Sequence, residues 1–399
     1  MAAPLVELSV RERFESLDVV RGIAIFGILL ANMAAFAGSE LGAMLGQPYT
    51  LTGTDRATDI LGVVLVSGKF RTMLAILFGA GICLQFVKRW EAGSPWPGTY
   101  LRRVLFLGLL GAIHSVLFWY GDILWPYAWL ALFTVLLARI GERKQRILIT
   151  IGCSIAVIIG LFSFASAFLP SQEAGPMPFL GDEVKIFSEG TYLEQVGFRL
   201  TVWLMMSMFY VFWAPGALAL FLIGFLLARH GVLTHPQDHP QTIKKMAVIG
   251  LGLGLPLNLA VLMFWQSGNV LGATGYVEML AGPVLSIGYL ALILSWVASG
   301  KADGLARQVA KVGRMALSNY LLQTLVCTTI FYSWGFGLFE RLTELQALAV
   351  VPLVWAINVL FTNFWLARFE LGPVEWAWRS LSEKRRFPIR RAPEPESAA

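Results

Sequence analysis

Apolar residues run along most of this chain in long stretches that short polar segments interrupt. A helix that crosses a bilayer needs about 20 predominantly apolar residues, and the pattern predicts ten such helices. The predicted spans are Val19–Ala37, Phe70–Val87, Leu101–Tyr120, Ile123–Ile140, Ile147–Leu169, Met206–Ala228, Met246–Trp265, Tyr276–Ser299, Met315–Trp334 and Leu345–Ala367.

Two further stretches are apolar but do not fit a simple span. Ile60–Ser67 is too short to cross, and Tyr192–Met205 carries two charged residues on a helical apolar pattern. We predict that both are interfacial or re-entrant helices on the outer side. If Tyr192–Trp213 spans instead, with a break at Pro215, the count becomes eleven. The basic loop Arg229–Lys245 would then face outward, which favours ten.

Composition agrees with a membrane protein. Of the 399 residues, 57% are hydrophobic and 14% are charged, and the mean hydropathy is +0.67, whereas soluble domains carry about 25% charged residues. The three cysteines, Cys83, Cys153 and Cys327, all lie in apolar runs, which argues against a disulfide framework or a cysteine zinc site. The predicted fold class is an all-α polytopic helix bundle without a metal site.

The distribution of basic residues predicts the orientation, because Lys and Arg accumulate in cytoplasmic loops. With both termini placed in the cytoplasm, all but six of the 31 basic residues lie on the cytoplasmic side. The six exceptions are Arg56, Lys69, Arg71, Lys185, Arg199 and Arg341.

No internal repeat divides the chain, so residues 1–387 are predicted to form a single transmembrane domain. The Pro- and Glu-containing tail, residues 388–399, is expected to be disordered. Glycine runs at Leu77–Gly81 and Gly250–Gly254 lack the context of phosphate loops and are expected to let helices approach closely.

One histidine, His114, lies within a predicted span. It follows Arg103, at the cytoplasmic end, by eleven residues on the same helix face, which puts it about 16 Å deep, near the middle of the hydrocarbon core. A neutral imidazole there, below the carboxylate of Asp122 at the outer mouth, suits a buried general base. The alternative is that His114 only packs and bonds to a neighbouring helix.

The first span repeats this spacing. Asp18 and Arg21 share a helix face, and Asn32 follows Arg21 by eleven residues on that face. Arg21 is expected at the cytoplasmic interface. It either extends toward water or pairs with Asp18, or it binds a phosphate of a cytoplasmic donor such as a nucleotide-bearing thioester.

Weaker candidates lie elsewhere in the spans. Lys69 and Arg71 begin the second span on the outer side, where they bind an anionic acceptor or a lipid headgroup, or merely anchor the helix. Glu278 is placed to pair with an outer cation. Asn319 and Gln323 are one turn apart on one face, and both a substrate pocket and interhelical hydrogen bonds explain them.

Several motifs resemble the YeiB-like bacterial inner-membrane proteins, which carry a C-terminal domain of unknown function. The resemblance spans nearly the whole chain, with an N-terminal motif half over residues 1–169 and a YeiB-like half over about 205–387. It implies a multi-pass protein of the bacterial cytoplasmic membrane. The motifs are Ser-Leu-Asp-Val-Val-Arg-Gly-Ile-Ala (16–24), Lys-Phe-Arg and Leu-Phe-Gly-Ala-Gly (69–81), His114 with Gly-Asp-Ile-Leu (121–124), Gly-Arg-Met-Ala-Leu-Ser-Asn-Tyr-Leu-Leu-Gln (313–323) and Phe-Glu-Leu-Gly-Pro-Val-Glu-Trp-Ala-Trp-Arg (369–379).

The opening motif is also similar to that of two groups of transmembrane acyltransferases, the bacterial polysaccharide O-acyltransferases and heparan-α-glucosaminide N-acetyltransferase. The resemblance implies transfer from cytoplasmic acyl-CoA, most simply acetyl-CoA, to an acceptor on the far side. In the polysaccharide group a histidine follows the arginine by eleven residues. This chain has Asn32 at that position, and the group of heparan-α-glucosaminide N-acetyltransferase also has Asn there. The base must then lie elsewhere, and His114 is the available imidazole.

These observations lead to a first hypothesis, a membrane-bound acyltransferase. Arg21, with Asp18 and Arg103, would hold the acyl-CoA, and His114 would activate a hydroxyl or amine or carry the acyl group. Asn32 would stabilise the oxyanion, while Asp122 would orient His114 or bind the acceptor.

A second hypothesis is a proton-coupled transporter or lipid flippase with Asp122, His114 and Asp18 as a relay. A third is a scaffold whose polar contacts are structural. The expected partners are membrane lipids and a small-molecule, glycan or lipid acceptor; nucleic acid is not expected, and a homo-oligomer stays open.

Overall fold

The structure is a computed structural model that describes residues 15–39, 41, 53–166, 168–169, 182–263, 270–300 and 303–390. In these ranges the chain is almost entirely helical, apart from turns and one isolated β-bridge between Phe369 and Arg390. The predicted tail beyond residue 390 lies outside the described residues. The helices are α1 (Glu15–Ala37), α2 (Gly53–Leu65), α3 (Lys69–Glu91), α4 (Tyr100–Leu117), α5 (Leu124–Leu137), α6 (Glu142–Ser166), α7 (Glu183–Ser188), α8 (Tyr192–Arg229), α9 (Pro240–Leu259), α10 (Val270–Tyr276), α11 (Gly282–Ala298), α12 (Asp303–Arg314), α13 (Ala316–Phe331), α14 (Glu344–Leu366) and α15 (Pro373–Glu383).

The helices confirm a polytopic membrane bundle. Eight helical segments of the described chain are long and apolar enough to cross a bilayer. Two shorter apolar helices, α5 and α13, coincide with the remaining two predicted spans. With 14 residues, α5 rises about 21 Å, less than the ~30 Å hydrocarbon core.

One expectation, a separate interfacial or re-entrant helix over Tyr192–Met205, is wrong. That stretch is the first part of α8, a continuous helix of 38 residues that runs through Pro215 without ending. Thr191 and Glu194 start it with a reciprocal capping box, which satisfies the first backbone N–H groups. The break at Pro215 that an eleven-span reading requires is therefore not present.

The other such stretch, Ile60–Ser67, forms the second half of α2 and the turn into α3. Gly68 in this turn has a φ of 79°, a left-handed conformation that glycine adopts without steric cost. The turn at residues 66–68 therefore separates α2 from α3.

Glycines bring pairs of long helices into close contact, as the glycine runs predict. A Cβ on Gly79 of α3 would collide with the Phe221 backbone of α8, and a Cβ on Gly224 of α8 would collide with the Ile76 backbone of α3. Gly250 of α9 lies against Gly288 of α11 in the same way. Small residues at such crossings allow the backbones to pack closely.

The two ends of the bundle are closed by different elements. At the end that carries the basic loops, which we call the basic end, α15 lies against the start of α4. Trp378 Nε1 donates to the Arg103 carbonyl at 2.8 Å, and Arg102 Nε donates to the Ser382 carbonyl at 2.7 Å. This contact fixes the C-terminal helix to the bundle.

The opposite end, which we call the distal end, has a core of its own. We define the distal cap as α7, residues Tyr192–Met205 of α8, and residues 332–340. The cap packs on the ends of α1 and α4 through a cluster of buried aromatic side chains, which are Phe36, Trp119, Phe187, Phe198, Phe331, Tyr332 and Phe339. It covers the turn between α4 and α5.

Candidate active site

The structure pairs His114, which the sequence places in the membrane interior, with Asp122, which it places at the outer mouth. His114 Nδ1 and Asp122 Oδ2 are 2.7 Å apart, and the two residues are 2% and 3% exposed. His114 lies in the last turn of α4, and Asp122 lies in the turn before α5. A buried charge-assisted hydrogen bond of this length is a strong one.

Asp122 lies beside the last turns of α4 and not eight residues beyond His114 along the helix direction. After Leu117 the chain turns back, so that Asp122 lies beside Gly111, where an added Cβ would meet its Oδ1 at 2.9 Å. Asp122 Oδ1 also accepts the Trp125 backbone N–H at 2.8 Å, which caps the start of α5. The carboxylate is thus held by the helix that it begins.

The second ring nitrogen of His114, Nε2, is buried and has no hydrogen-bond partner within the described chain. Aromatic rings flank the imidazole: Tyr320 of α13 at 5.2 Å and Phe118 at 6.3 Å between centroids. Sequence reasoning missed Tyr320, although it lies between Asn319 and Gln323 in a quoted motif. The arrangement is an imidazole oriented through Nδ1, with an unpartnered Nε2, among buried aromatic rings.

The distal cap holds the end of α4 through groups that the sequence did not assign to a site. Arg199 Nε donates to the Val116 carbonyl at 2.9 Å, and the Tyr192 hydroxyl donates to the Leu117 carbonyl at 2.8 Å. These bonds satisfy carbonyls that a helix leaves unpaired in its last turn. A charged residue within an apolar stretch, Arg199, was the available signal.

Arg21 and Arg103, the predicted donor-binding cations, lie at the basic end. Arg21 Nη1 bonds to Asp18 at 3.2 Å, with 30% of the Arg21 side chain exposed, so the predicted pair forms. Arg103 bonds to Glu383 of α15 at 2.5 Å. Both cations act electrostatically on the buried Tyr100, which places them in one neighbourhood.

Asn32 is half-buried on α1, and among the described residues no hydrogen bond joins it to His114 or Asp122. It lies one turn before Phe36, whose ring stacks on Trp119 at 4.2 Å. Trp119 in turn donates its backbone N–H to the His114 carbonyl at 3.0 Å. Asn32 is therefore near the level of His114 along the bundle but is not bonded to the pair.

The predicted acceptor-binding cations at the start of α3 are engaged within the protein. Lys69 is fully buried, and its Nζ donates to the Val63 carbonyl at 2.7 Å. Arg71 forms an ion pair with Glu278, as expected for an outer cation. Both side chains therefore have partners within the protein, and Arg71 and Asp122 both act electrostatically on Tyr210.

Asn319 and Gln323 belong to a buried network between helices. Asn319 Nδ2 donates to Thr362 Oγ1 at 2.9 Å, and Asn358 Nδ2 donates to Asn319 Oδ1 at 3.0 Å. Gln323 Nε2 donates to Asn358 Oδ1 at 3.1 Å and to the Ile25 carbonyl at 3.2 Å. Of the two explanations open at the sequence level, interhelical hydrogen bonding is the one the contacts fit.

A second contact of α15, which we call the clasp, joins the motif at residues 313–323 to the motif at residues 369–379. Glu375 of α15 accepts the backbone N–H groups of Leu317 and Ser318, at 2.8 and 3.0 Å, and the Ser318 hydroxyl. The carboxylate thereby caps the first turn of α13. Burial raises the pKa of the Glu375 carboxyl, and the Ser318 hydrogen bonds partly offset that rise.

The described residues contain no group of three or more His, Cys, Asp or Glu side chains that could hold a metal ion. The side chains of the site itself are an imidazole, a carboxylate bonded to it, and neighbouring aromatic rings.

Comparisons with known proteins agree with the sequence motifs. Residues 227–385 match the family described as "Protein of unknown function (DUF418)". The chain is 34% identical over 394 residues to "Uncharacterized protein YeiB" of Escherichia coli (strain K12), covering 93% of this chain and 96% of that protein.

A Bacillus subtilis (strain 168) relative, "Uncharacterized protein YxaH", is 27% identical, with 92% of this chain and 94% of that protein covered. The "Uncharacterized 39.9 kDa protein in amylase 3'region" of Bacillus acidopullulyticus is also 27% identical, with 96% and 97% covered. No solved structure matches significantly. Because the Escherichia coli relative is 34% identical over almost its whole length, the chain belongs to the YeiB-like family of bacterial DUF418 proteins.

Proposed function

We propose that this protein is a membrane-bound acyltransferase that moves an acyl group from acyl-CoA to a hydroxyl or amine acceptor. The observation that supports this most is the 2.7 Å bond between His114 Nδ1 and Asp122 Oδ2, together with the unpartnered Nε2. In nucleophilic acyl transfer a carboxylate on Nδ1 fixes the tautomer in which Nε2 is the base.

The pair suits each proton movement of the reaction. Nε2 of His114 takes the proton from the acceptor hydroxyl or amine as that group attacks the thioester carbonyl. The tetrahedral intermediate then expels the CoA thiolate, which receives the same proton from Nε2. Asp122 stabilises the imidazolium between the two steps, and Asn32 is our candidate donor to the oxyanion.

The donor is proposed to reach this pair from the basic end. Arg21 is the stronger of the two candidate cations because 30% of its side chain is exposed, so its guanidinium is accessible to a phosphate of acyl-CoA. Arg103 is already bonded to Glu383 and would have to exchange that partner.

Thermal stabilisation of the purified protein by acetyl-CoA and longer acyl-CoAs tests the donor. A ligand that binds the folded state raises the melting temperature with its concentration. We expect Arg21→Ala to abolish the shift and His114→Ala to preserve it, because the first binds donor and the second acts on it. Absence of a shift with every acyl-CoA, in folded wild-type protein, would contradict this donor and favour proton-coupled transport through the same pair.

A further inference from the structure

The distal cap contains a cation that the acyl-transfer chemistry does not use. Arg199 of α8 is fully buried, and among the described residues no carboxylate lies within ion-pair distance of its guanidinium. Its Nε and Nη1 donate to the Val116 carbonyl at 2.9 Å and to Gln195 Oε1 at 3.5 Å. Nη2 is buried without an acceptor.

The bond to Val116 explains why one edge of the guanidinium is buried, since it caps the end of α4. It does not explain Nη2, because a buried donor without an acceptor costs free energy and is rare in folded proteins. Glu183, a carboxylate of the same cap, accepts instead from Ser39 Oγ at 2.5 Å and the Tyr120 hydroxyl at 2.9 Å.

Two other buried donors of the cap region lack an acceptor in the described structure, the Tyr332 hydroxyl and Trp119 Nε1. Tyr332 and Arg199 both lie over the ring of Phe187, at 4.5 and 6.0 Å from its centre. Trp119 lies three residues after Val116, the partner of Arg199 Nε. The guanidinium and the phenol therefore share the ring of Phe187, and the indole belongs to the same buried aromatic cluster.

Such a set of donors is the complement of an anionic oxygen group. Arg binds phosphate through its planar array of N–H groups, and three donors match the three free oxygens of a phosphate monoester better than the two of a carboxylate. The site also borders the helix that carries His114, because Arg199 bonds the carbonyl of Val116, two residues beyond His114 on α4.

We infer that Arg199, Tyr332 and Trp119 bind a phosphate group carried by the acceptor, and so hold its reactive hydroxyl or amine near His114 Nε2. This rests on the proposed function for the identity of the bound molecule as acceptor. The phosphate belongs either to a lipid headgroup or to a soluble phosphate ester. Since the donors are shut off from solvent, binding requires the six-residue helix α7 or its neighbours in the cap to move.

The test is ligand-induced thermal stabilisation of the full-length protein in detergent. The probes are dihexanoyl phosphatidic acid, glycerol 3-phosphate and, as the uncharged control, dihexanoylglycerol. Stabilisation by phosphatidic acid alone identifies a lipid phosphate, and stabilisation by both phosphates identifies a soluble ester. We expect Arg199→Gln to weaken phosphate binding about 10-fold or more, as for loss of a charge-assisted hydrogen bond. The matched control Arg341→Gln, at an exposed arginine after the cap, should bind as wild type.

Tyr332→Phe keeps the test decisive if Arg199→Gln does not fold. Because the hydroxyl has no partner in the structure, its removal should leave the melting temperature of the unliganded protein unchanged or higher. Phosphate binding should nevertheless weaken about 3-fold, as for a neutral hydrogen bond. Stabilisation by neither phosphate probe, or equal stabilisation of wild type and Tyr332→Phe, would overturn the site.

His114→Gln separates this inference from the proposed function. It should retain phosphate binding, because none of the three donors is altered. Phosphate binding that depends on Arg199, in a protein without acyl transfer, would leave the site standing and refute the acyltransferase. Acyl transfer that is unaffected by Tyr332→Phe and independent of phosphate would support the acyltransferase and refute the phosphate site.

Discussion

The two nitrogen atoms of the His114 ring have different surroundings, and the proposed chemistry depends on that difference. Nδ1 bonds to Asp122, and Nε2 faces no acceptor or donor in the described chain. The carboxylate fixes the orientation of the ring, which leaves Nε2 as the position open to a substrate.

Substitution of Asp122 by Asn tests the role of the carboxylate. Asn retains an Oδ1 to accept the Trp125 N–H, so α5 should keep its cap and the protein its fold. Its amide no longer favours the tautomer in which Nε2 is basic. We expect acyl transfer to fall by about 100-fold or more, measured as release of free CoA thiol. Asp238→Asn, in a loop at the basic end, is the control, and equal activity of the two variants would refute the pairing as a catalytic device.

The Asn319 network predicts that substitution of this residue lowers stability without weakening ligand binding. Asn319→Ala removes bonds to Thr362 and Asn358 and leaves their polar groups unpaired, at a cost of about 1–3 kcal/mol. The melting temperature should fall, while stabilisation by acyl-CoA in the remaining folded protein is unchanged. Asn363→Ala on α14, at a half-buried position, should have little effect. Loss of ligand binding in Asn319→Ala without loss of stability would instead indicate that Asn319 binds substrate.

At the scale of helices, close crossings and clasps set the frame around the pair. The α3–α8 crossing depends on two glycines, and α15 is fixed by Glu375 and by Trp378. The glycine runs could be interpreted from the sequence because small residues in spans have a general packing role. The clasp could not be predicted from the sequence, because nothing in the spacing of Ser318 and Glu375 along the chain indicates that they meet.

Two glycines on α8 should respond to alanine with opposite signs. At Gly224 a Cβ collides with the Ile76 backbone, so Gly224→Ala should destabilise the protein by about 1–3 kcal/mol. At Gly197 a Cβ meets nothing within 4 Å, and Gly197→Ala should stabilise it by roughly 0.5–1 kcal/mol. Melting temperatures in one detergent compare them. A similar shift for both variants would mean that α3 and α8 do not cross this closely.

The clasp should give stability a pH dependence. Burial raises the pKa of Glu375 in the folded protein, so the folded state holds this proton at a pH where the unfolded chain has lost it. Its contribution is therefore greatest below the unfolded pKa and decreases as pH rises through the folded value. The melting temperature of wild type relative to Glu375→Gln should fall with rising pH across that window. A difference that grows with pH would show that the carboxylate form stabilises the clasp.

Across the whole molecule, the His114–Asp122 pair lies between two closed ends. The ten apolar runs were predictable because bilayer thickness fixes the length of a span, and His114 stood out because ionisable residues in spans are costly. The position of Asp122 could not be predicted, because the backward turn depends on the space beside Gly111 and on the distal cap that holds Val116 and Leu117. The continuous α8 was likewise hidden, since Glu194 and Arg199 interrupt its apolar pattern.

Transfer of label from radioactive acetyl-CoA in inverted membrane vesicles, which supply the native acceptors, tests the role of His114 in acyl transfer. Vesicles with wild-type protein should form a labelled lipid or glycan product, and His114→Gln vesicles should not. His235→Gln, at a loop histidine, should label as wild type. Equal labelling by His114→Gln and wild type, at equal amounts of folded protein, would contradict the claim that this buried histidine carries out acyl transfer.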